Sequence, residues 1–182
     1  MPFLEIVTRC YKRPQMLNIN IDSLADQTDQ DFTQTLLVDE VGRGVEWAFA
    51  NLRSYAPKLV GDYIWILDDD DTCIRPSLVE DLRAIAAQYA PDVIMLKMDH
   101  GQWGIKPSFS WGQRPQVGDI GCSAYVVKRS VWQYHADRTW QITRYQSDFD
   151  FIESIFDAEG LKIAWYDVVA SKVQRQSKGA PE

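Results

Sequence analysis

Along the first hundred residues the apolar positions switch between two periods. Leu4 to Arg9 is a short apolar run, and Pro14 then opens a segment in which Leu17, Ile21, Leu24 and Ala25 recur at helical spacing. Thr33 to Val38 reads as a second strand. Val45, Ala48, Phe49 and Leu52 repeat at i, i+3, i+4 and i+7, which predicts a second helix. Gly61 breaks the chain before Asp62 to Leu67, an almost unbroken run of aromatic and β-branched residues. Such a run suits a strand covered on both faces. After Pro76, a third helix is marked by Leu78, Val79, Leu82, Ile85 and Tyr89, and Ser77 with Glu80 has the form of a capping box at its start. Asp92 to Lys97 reads as a fourth strand.

Strands and helices in alternation predict an α/β fold, a single doubly wound, Rossmann-like domain with a mostly parallel central sheet. Beyond Lys97 the periodicity dissolves. Residues 98–127 are rich in Gly, Pro and Trp and are expected to be irregular or antiparallel, with Ala124 to Val127 a strand. A helix over 148–158, carried by Phe149, Ile152, Ile155 and Phe156, and a strand from Leu161 to Tyr166 follow. From Lys172 onward a polar, mobile tail is expected. No linker interrupts residues 1–182, so one domain is expected, with halves at 1–97 and 98–171.

Composition narrows the function classes. The formal charge of −7 argues against a general nucleic-acid binder, which needs clustered Lys and Arg. No apolar stretch approaches the roughly 18–20 residues of a membrane span, and the N-terminus lacks the regions of a signal peptide. Cys10, Cys73 and Cys122 are odd in number and far apart, so neither a disulfide framework nor a zinc site is indicated. A reduced, cytoplasmic protein without a transmembrane segment is the expectation.

The most informative feature is Asp68-Asp69-Asp70-Asp71 at the carboxyl end of the most hydrophobic strand. In an extended chain, alternation would put Asp68 and Asp70 on one face and Asp69 and Asp71 on the other. Four adjacent negative charges repel one another, and a divalent cation relieves that repulsion; all-oxygen ligation favours Mg²⁺ or Mn²⁺ over zinc. In open α/β sheets ligands bind beyond the carboxyl ends of the strands. The competing reading is a solvated acidic turn. A calcium loop starting at Asp69 would place Glu80 correctly but puts Cys73 and Ile74 where an oxygen ligand and Gly are required, so that reading fails.

Two family resemblances share these letters. Asp68-x-Asp70-x-Thr72 resembles the motif of haloacid-dehalogenase-like phosphatases, in which Asp68 would attack phosphorus and Asp70 act as acid and base. That family places the motif on its first strand, whereas two strand–helix units precede it here. The broader resemblance joins Val7-Thr8-Arg9-Cys10-Tyr11-Lys12-Arg13-Pro14, Leu37-Val38-Asp39-Glu40 and Gly61-Asp62-Tyr63-Ile64-Trp65-Ile66-Leu67 running into the quartet. In order and spacing these resemble a family 2-type glycosyltransferase of the GT-A fold. Weaker similarity continues through Gly121 to Arg129 and through Ser147-Asp148-Phe149-Asp150, where the family carries Glu-Asp-x-Asp.

That resemblance implies a metal-dependent, inverting transfer of sugar from a nucleotide-diphosphate donor of UDP or GDP type to an acceptor, glycan being the expected class. It implies nucleotide contacts from Thr8, Arg9, Tyr11, Arg13, Asp39 and Asp69. It also implies an Mn²⁺ or Mg²⁺ site from Asp68, Asp70 and Asp71, with Asp148 as general base. Ser147 stands where the family has Glu, and Ser147-x-x-Asp150 is also a capping box. Trp103, Trp111, Trp132 and Trp140 are candidates for an acceptor surface. Lys172 and Arg175 are candidate diphosphate cations, and His135, Arg138 and Arg144 candidates for a closing loop. A non-catalytic nucleotide- or glycan-binding domain of the same fold is the remaining alternative.

Overall fold

Leu4–Cys10 (β1), Phe32–Val38 (β2) and Tyr63–Ile66 (β3) lie side by side and parallel, with β1 in the middle. They are linked through Pro14–Ala25 (α1) and Gly44–Tyr55 (α2). The chain, seen in a computed structural model that describes residues 1–174, continues through Asp71–Cys73 (β4), Leu78–Tyr89 (α3), Val93–Asp99 (β5) and Ile105–Lys106 (β6). Tyr125–Lys128 (β7), Arg129–Thr139 (α4), Ser147–Phe156 (α5) and Ile163–Val173 (β8) complete it. All eight strands share one sheet in the order β2-β1-β3-β7-β5-β8-β4, with β6 paired to β5. β7 runs antiparallel between β3 and β5, so the segment expected to be irregular or antiparallel supplies a central strand.

Alternation along β3 accounts for its composition. Ile64 and Ile66 face one core with Phe49 and Leu52 of α2, Trp132 of α4, and Phe151 and Ile155 of α5. Tyr63, Trp65 and Leu67 face the other with Leu24 of α1 and Leu78 and Leu82 of α3. All five are buried; for Ile64, Ile66 and Leu67 each burial is worth roughly 1.5–3 kcal/mol relative to exposure. Gly61 enters this strand where a Cβ would lie 2.6 Å from the Glu5 Cβ and backbone N, so only glycine fits against β1. Glu5 is fully buried there, and its carboxylate accepts from the Val60 and Gly61 backbone N–H groups and the Tyr55 and Thr35 hydroxyls.

Several expectations are corrected. On α1 the inward residues are Asn20 and Leu24, while Ile21 is exposed, because the helix turns a polar side chain toward the end of β3. Ser77 stands at the N-cap of α3 but its hydroxyl goes to Asp81, and Glu80 accepts from Thr28 instead, so no capping box forms. The box expected from Ser147 fails similarly. Ser147 is already inside α5, its hydroxyl accepts from the Arg144 backbone N–H, and Asp150 pairs with Arg144. Lys172 and Val173 belong to β8 and pair with β4, so no tail starts at 172. Residues 175–182, Arg175 among them, lie outside the described residues.

Candidate active site

The aspartate quartet does not extend β3. The ladder to β1 continues only as far as the Asp69 N–H, which donates to the Arg9 carbonyl, and the chain then turns, with the Asp71 N–H on the Asp68 carbonyl at 2.9 Å. The two-face alternation expected of an extended strand is therefore replaced by a turn in which each carboxyl points a different way. The turn is held from both sides. Asn20 donates through Nδ2 to the carbonyls of Asp68 and Asp71, each at 2.9 Å, while its own oxygen accepts from Gln34. Gln174 completes the set, its backbone N–H donating to the Asp70 carbonyl and its Nε2 to those of Asp69 and Asp71. All four carbonyls of the turn are thereby satisfied.

The carboxylates meet two guanidiniums. Arg9 grips Asp68 with both prongs, Nε to Oδ1 at 2.7 Å and Nη2 to Oδ2 at 2.5 Å, and lies 4.7 Å over the Phe49 ring. Burial alone would lower the Arg9 pKa, but Asp68, the Cys122 thiol and Asp148 raise it above its usual value, so it stays charged. Arg13 spans Asp69, at 2.5 Å, and Asp70. Asp69 is almost fully buried and also accepts from the Tyr11 N–H, which stabilises the β1–α1 turn where Lys12 adopts φ 48°. Asp71 is buried against the Ser123 hydroxyl, and burial, reinforced by Asp68 and Asp70, pushes its carboxyl well above the usual range.

A cleft of about 290 Å³ opens beside Asp68, walled by Arg9, Tyr11, Arg13, Asp39, Trp47 and Asn51. Of the residues expected to contact nucleotide, Arg9, Tyr11, Arg13 and Asp39 are brought together here. Thr8 is not: strand alternation turns it inward, fully buried, where its hydroxyl accepts from Gln34. Nor does Asp69 line the cleft; it lies beneath Tyr11 and Arg13. Of the expected metal ligands, Asp68 lines the cleft and Asp70 is partly exposed beside Arg13, whereas Asp71 is directed at Ser123. Among the described residues, no three His, Cys, Asp or Glu side chains converge as a ready-made metal site.

Asp39 is anchored by the loop it begins. Its Oδ1 accepts from the Val41 and Gly42 N–H groups at 3.0 Å and its Oδ2 from that of Arg43. Burial acts to raise its pKa, but these backbone donors bring it below the usual value and keep it an anion. Gly42, at φ +85°, lies against Tyr11, and a Cβ at that position would overlap the phenol. Trp47, Asn51 and Gly42 escaped the sequence reading. Helical spacing assigns α2 only an apolar face, and Gly42-x-Gly44 ahead of Trp47 is the available signal.

Asp148 lies at the start of α5, half-buried, with the Phe149 N–H on its Oδ1 at 2.8 Å. Burial pushes its carboxyl above the usual range, and the Phe149 N–H and Arg9 partly offset this. Arg9 thus stands between the field of Asp68 and that of Asp148.

The second half revises the aromatic candidates. Trp132 and Trp140 are fully buried, packed edge-on to each other and against Phe151. Trp111 packs against Trp165, and of the four only Trp103 is exposed. His135 and Arg138 lie on α4 and not in a loop; His135 is buried against the Ser154 hydroxyl, and Arg144 is held by Asp150. Lys172 sits 3.9 Å from Asp99.

No protein-family profile matches the sequence, and no curated protein sequence matches it. Solved structures do. The S. aureus TarS 1–349 structure in complex with UDP superposes with a TM-score of 0.71 at 11% identity, covering 96% of this chain and 61% of that one. The mannosyltransferase PcManGT from Pyrobaculum calidifontis, in complex with GDP-Man and Mn²⁺, gives 0.64 at 12% identity over 98% of this chain and 58% of that one. Glucosyl-3-phosphoglycerate synthase from Mycobacterium tuberculosis, in complex with Mn²⁺, UDP and glucosyl-3-phosphoglycerate, gives 0.64 at 13% identity over 97% of this chain and 74% of that one. The chain spans about three fifths of the TarS fragment's length. Among the described residues, no helix is long and apolar enough to cross a membrane. The fold of this chain is the GT-A fold of nucleotide-sugar glycosyltransferases.

Proposed function

We propose that this domain transfers a glycosyl unit from a nucleoside-diphosphate sugar to an acceptor hydroxyl, with inversion at the anomeric carbon. One observation carries the reading: a single cleft joins Tyr11, Asp39 and Trp47 to Arg9, Arg13 and Asp68 at the carboxyl ends of β1 and β3. Aromatic faces and a fixed carboxylate suit a nucleobase and its N–H groups, and guanidiniums suit a diphosphate. On this reading residues 1–97 hold the donor and residues 98–171 build the acceptor side. The GT-A relatives in complex with Mn²⁺ support a divalent cation as cofactor, Mn²⁺ or Mg²⁺.

The residues fit such an ion. Three carboxyl groups, those of Asp68, Asp69 and Asp70, meet two guanidiniums, which leaves negative charge to be neutralised, and the donors are hard oxygens. Ions of this type are commonly held by one or two carboxylates together with substrate phosphates, so a three-residue cage is not required. Asp68 and Asp70 would hold it, and bound there it supplies charge that stabilises the diphosphate leaving group. Asn20 and Gln174 fix the turn that presents both carboxylates. Asp148 would take the acceptor hydroxyl's proton as that oxygen bonds to the anomeric carbon and the bond to the diphosphate breaks. Its raised pKa makes it a better base than an exposed aspartate, and the positive charge of Arg9 opposes that rise.

The test is donor turnover with UDP-GlcNAc and GDP-Man, with hydrolysis or transfer followed by release of nucleoside diphosphate. Turnover should stop on chelation with EDTA and return with Mn²⁺ or Mg²⁺. Undiminished turnover by Asp68→Ala and Asp70→Ala would reject the mechanism. Calorimetric binding of nucleotide with no turnover on any donor would point to the non-catalytic alternative.

A further inference from the structure

We propose that Arg13 is an exchangeable counter-ion. Its guanidinium holds Asp69 and Asp70, and a divalent cation that takes Asp70 would release Arg13 to the diphosphate of the nucleotide. Cation and nucleotide then strengthen each other's binding through this one side chain. The inference rests on the nucleoside-diphosphate reading of the cleft and adds to it a route of coupling.

The two arginines of the site are built differently. Arg9 is packed over Phe49, its side chain is 16% exposed, and its fork is spent on a single carboxylate, Asp68. Arg13 precedes Pro14 at the start of α1, its side chain is 32% exposed, and its two Nη groups are divided between Asp69 and Asp70. Its Nε–H is buried without a hydrogen-bond partner among the described residues. A buried donor without a partner costs free energy, so the present seat of the Arg13 guanidinium leaves a donor unmatched that a different position of the side chain can satisfy. Arg9 has the same feature at Nη1, so both guanidiniums bordering the cleft carry an unused N–H.

A guanidinium and a divalent cation compete for the Asp70 oxygens, because both are cations and each needs the same lone pairs. Displacement of Arg13 leaves Asp69 Oδ2 with the Tyr11 N–H but takes from the buried Oδ1 the guanidinium it faces, a cost that the bound cation beside it must offset. The freed fork matches two phosphate oxygens in geometry and charge. By linkage, whatever factor the cation adds to nucleotide affinity the nucleotide adds to cation affinity.

The test is Arg13→Gln, with Mn²⁺ binding measured alone by the electron-spin resonance signal of the free ion, and UDP and GDP binding measured by calorimetry with and without Mn²⁺. Exchange requires opposite signs. Mn²⁺ alone should bind the variant more tightly, by roughly fivefold, while UDP in the presence of Mn²⁺ should bind more weakly, by roughly tenfold. The gain in UDP affinity on adding Mn²⁺, large in the wild type, should shrink in the variant. Arg13→Lys, which keeps the charge but loses the fork, should restore Mn²⁺ competition and only part of the UDP affinity. Weakening of Mn²⁺ and UDP together in Arg13→Gln would show a strut of the turn and overturn the exchange, as would equal UDP affinity with and without Mn²⁺ in the wild type. A wild-type protein that binds neither UDP nor GDP would instead overturn the reading of the cleft.

Discussion

Replacing Asn20 by leucine keeps the volume of the side chain and removes everything it does for the aspartate turn. The amide makes three buried hydrogen bonds: two donated to the Asp68 and Asp71 carbonyls and one accepted from Gln34. None of these partners becomes wholly unpaired. Asp68 keeps the Asp71 N–H, Asp71 keeps Gln174, and Gln34 keeps the Thr8 hydroxyl. The loss is therefore that of three net hydrogen bonds, each about 0.5–1.5 kcal/mol, and comes to roughly 2–4 kcal/mol. For a chain of this length that lowers Tm by roughly 5–15 °C. Asn20→Asp should cost more than Asn20→Leu, since it aims a carboxylate at two carbonyl oxygens and adds a charge beside the quartet. Urea unfolding followed by circular dichroism measures both variants. A leucine variant within about 0.5 kcal/mol of the wild type, at an unchanged denaturant slope, would refute the role given to Asn20.

Gly42→Ala forces a side chain onto a φ of +85° and into the Tyr11 phenol, so UDP affinity measured by calorimetry should fall at least several-fold with little change in turnover of bound donor. Asp148→Asn should retain UDP binding and lose roughly 10²–10⁴-fold in transfer rate; in the wild type the acid limb of the rate profile should lie above the usual carboxylate range, because burial raises this pKa. Asp119, fully buried, accepts from Ser108, Ser110 and Lys106. Burial acts to raise its pKa, but those donors bring it far below the usual value. Its stabilisation is then fully present above the unfolded pKa of about 3.9 and is lost as pH falls through the lower folded value. Urea titrations between pH 6 and pH 3 should accordingly show a smaller stability loss for Asp119→Asn than for the wild type, and equal slopes would count against the assignment.

How much of this was legible in the chain varies by element. The first three strands and first three helices were readable because each keeps one period long enough to show, and Asp62 to Leu67 announced a strand covered on both faces. The position of β7 between β3 and β5 was not, since four residues carry no information about which neighbours they pair with. In the site, Arg9, Tyr11, Arg13 and Asp39 were legible as short motifs at strand ends. Thr8 was misplaced because one residue along a strand reverses the face. Trp132 and Trp140 looked like sugar platforms by type alone, and burial reassigns them to the core.

By itself the sequence determined the alternating α/β framework, the buried strand and the acidic quartet at its end, because hydrophobic period and local charge are properties of neighbouring residues. Only the tertiary structure decided which way each carboxyl of the quartet faces. Arg9 and Arg13 come from β1 and the start of α1, Asn20 from α1, Ser123 from the segment before β7, and Gln174 from the chain just after β8. Charges and donors separated by 48 to 105 positions in the chain act on one turn only when the folded sheet brings them within hydrogen-bond reach.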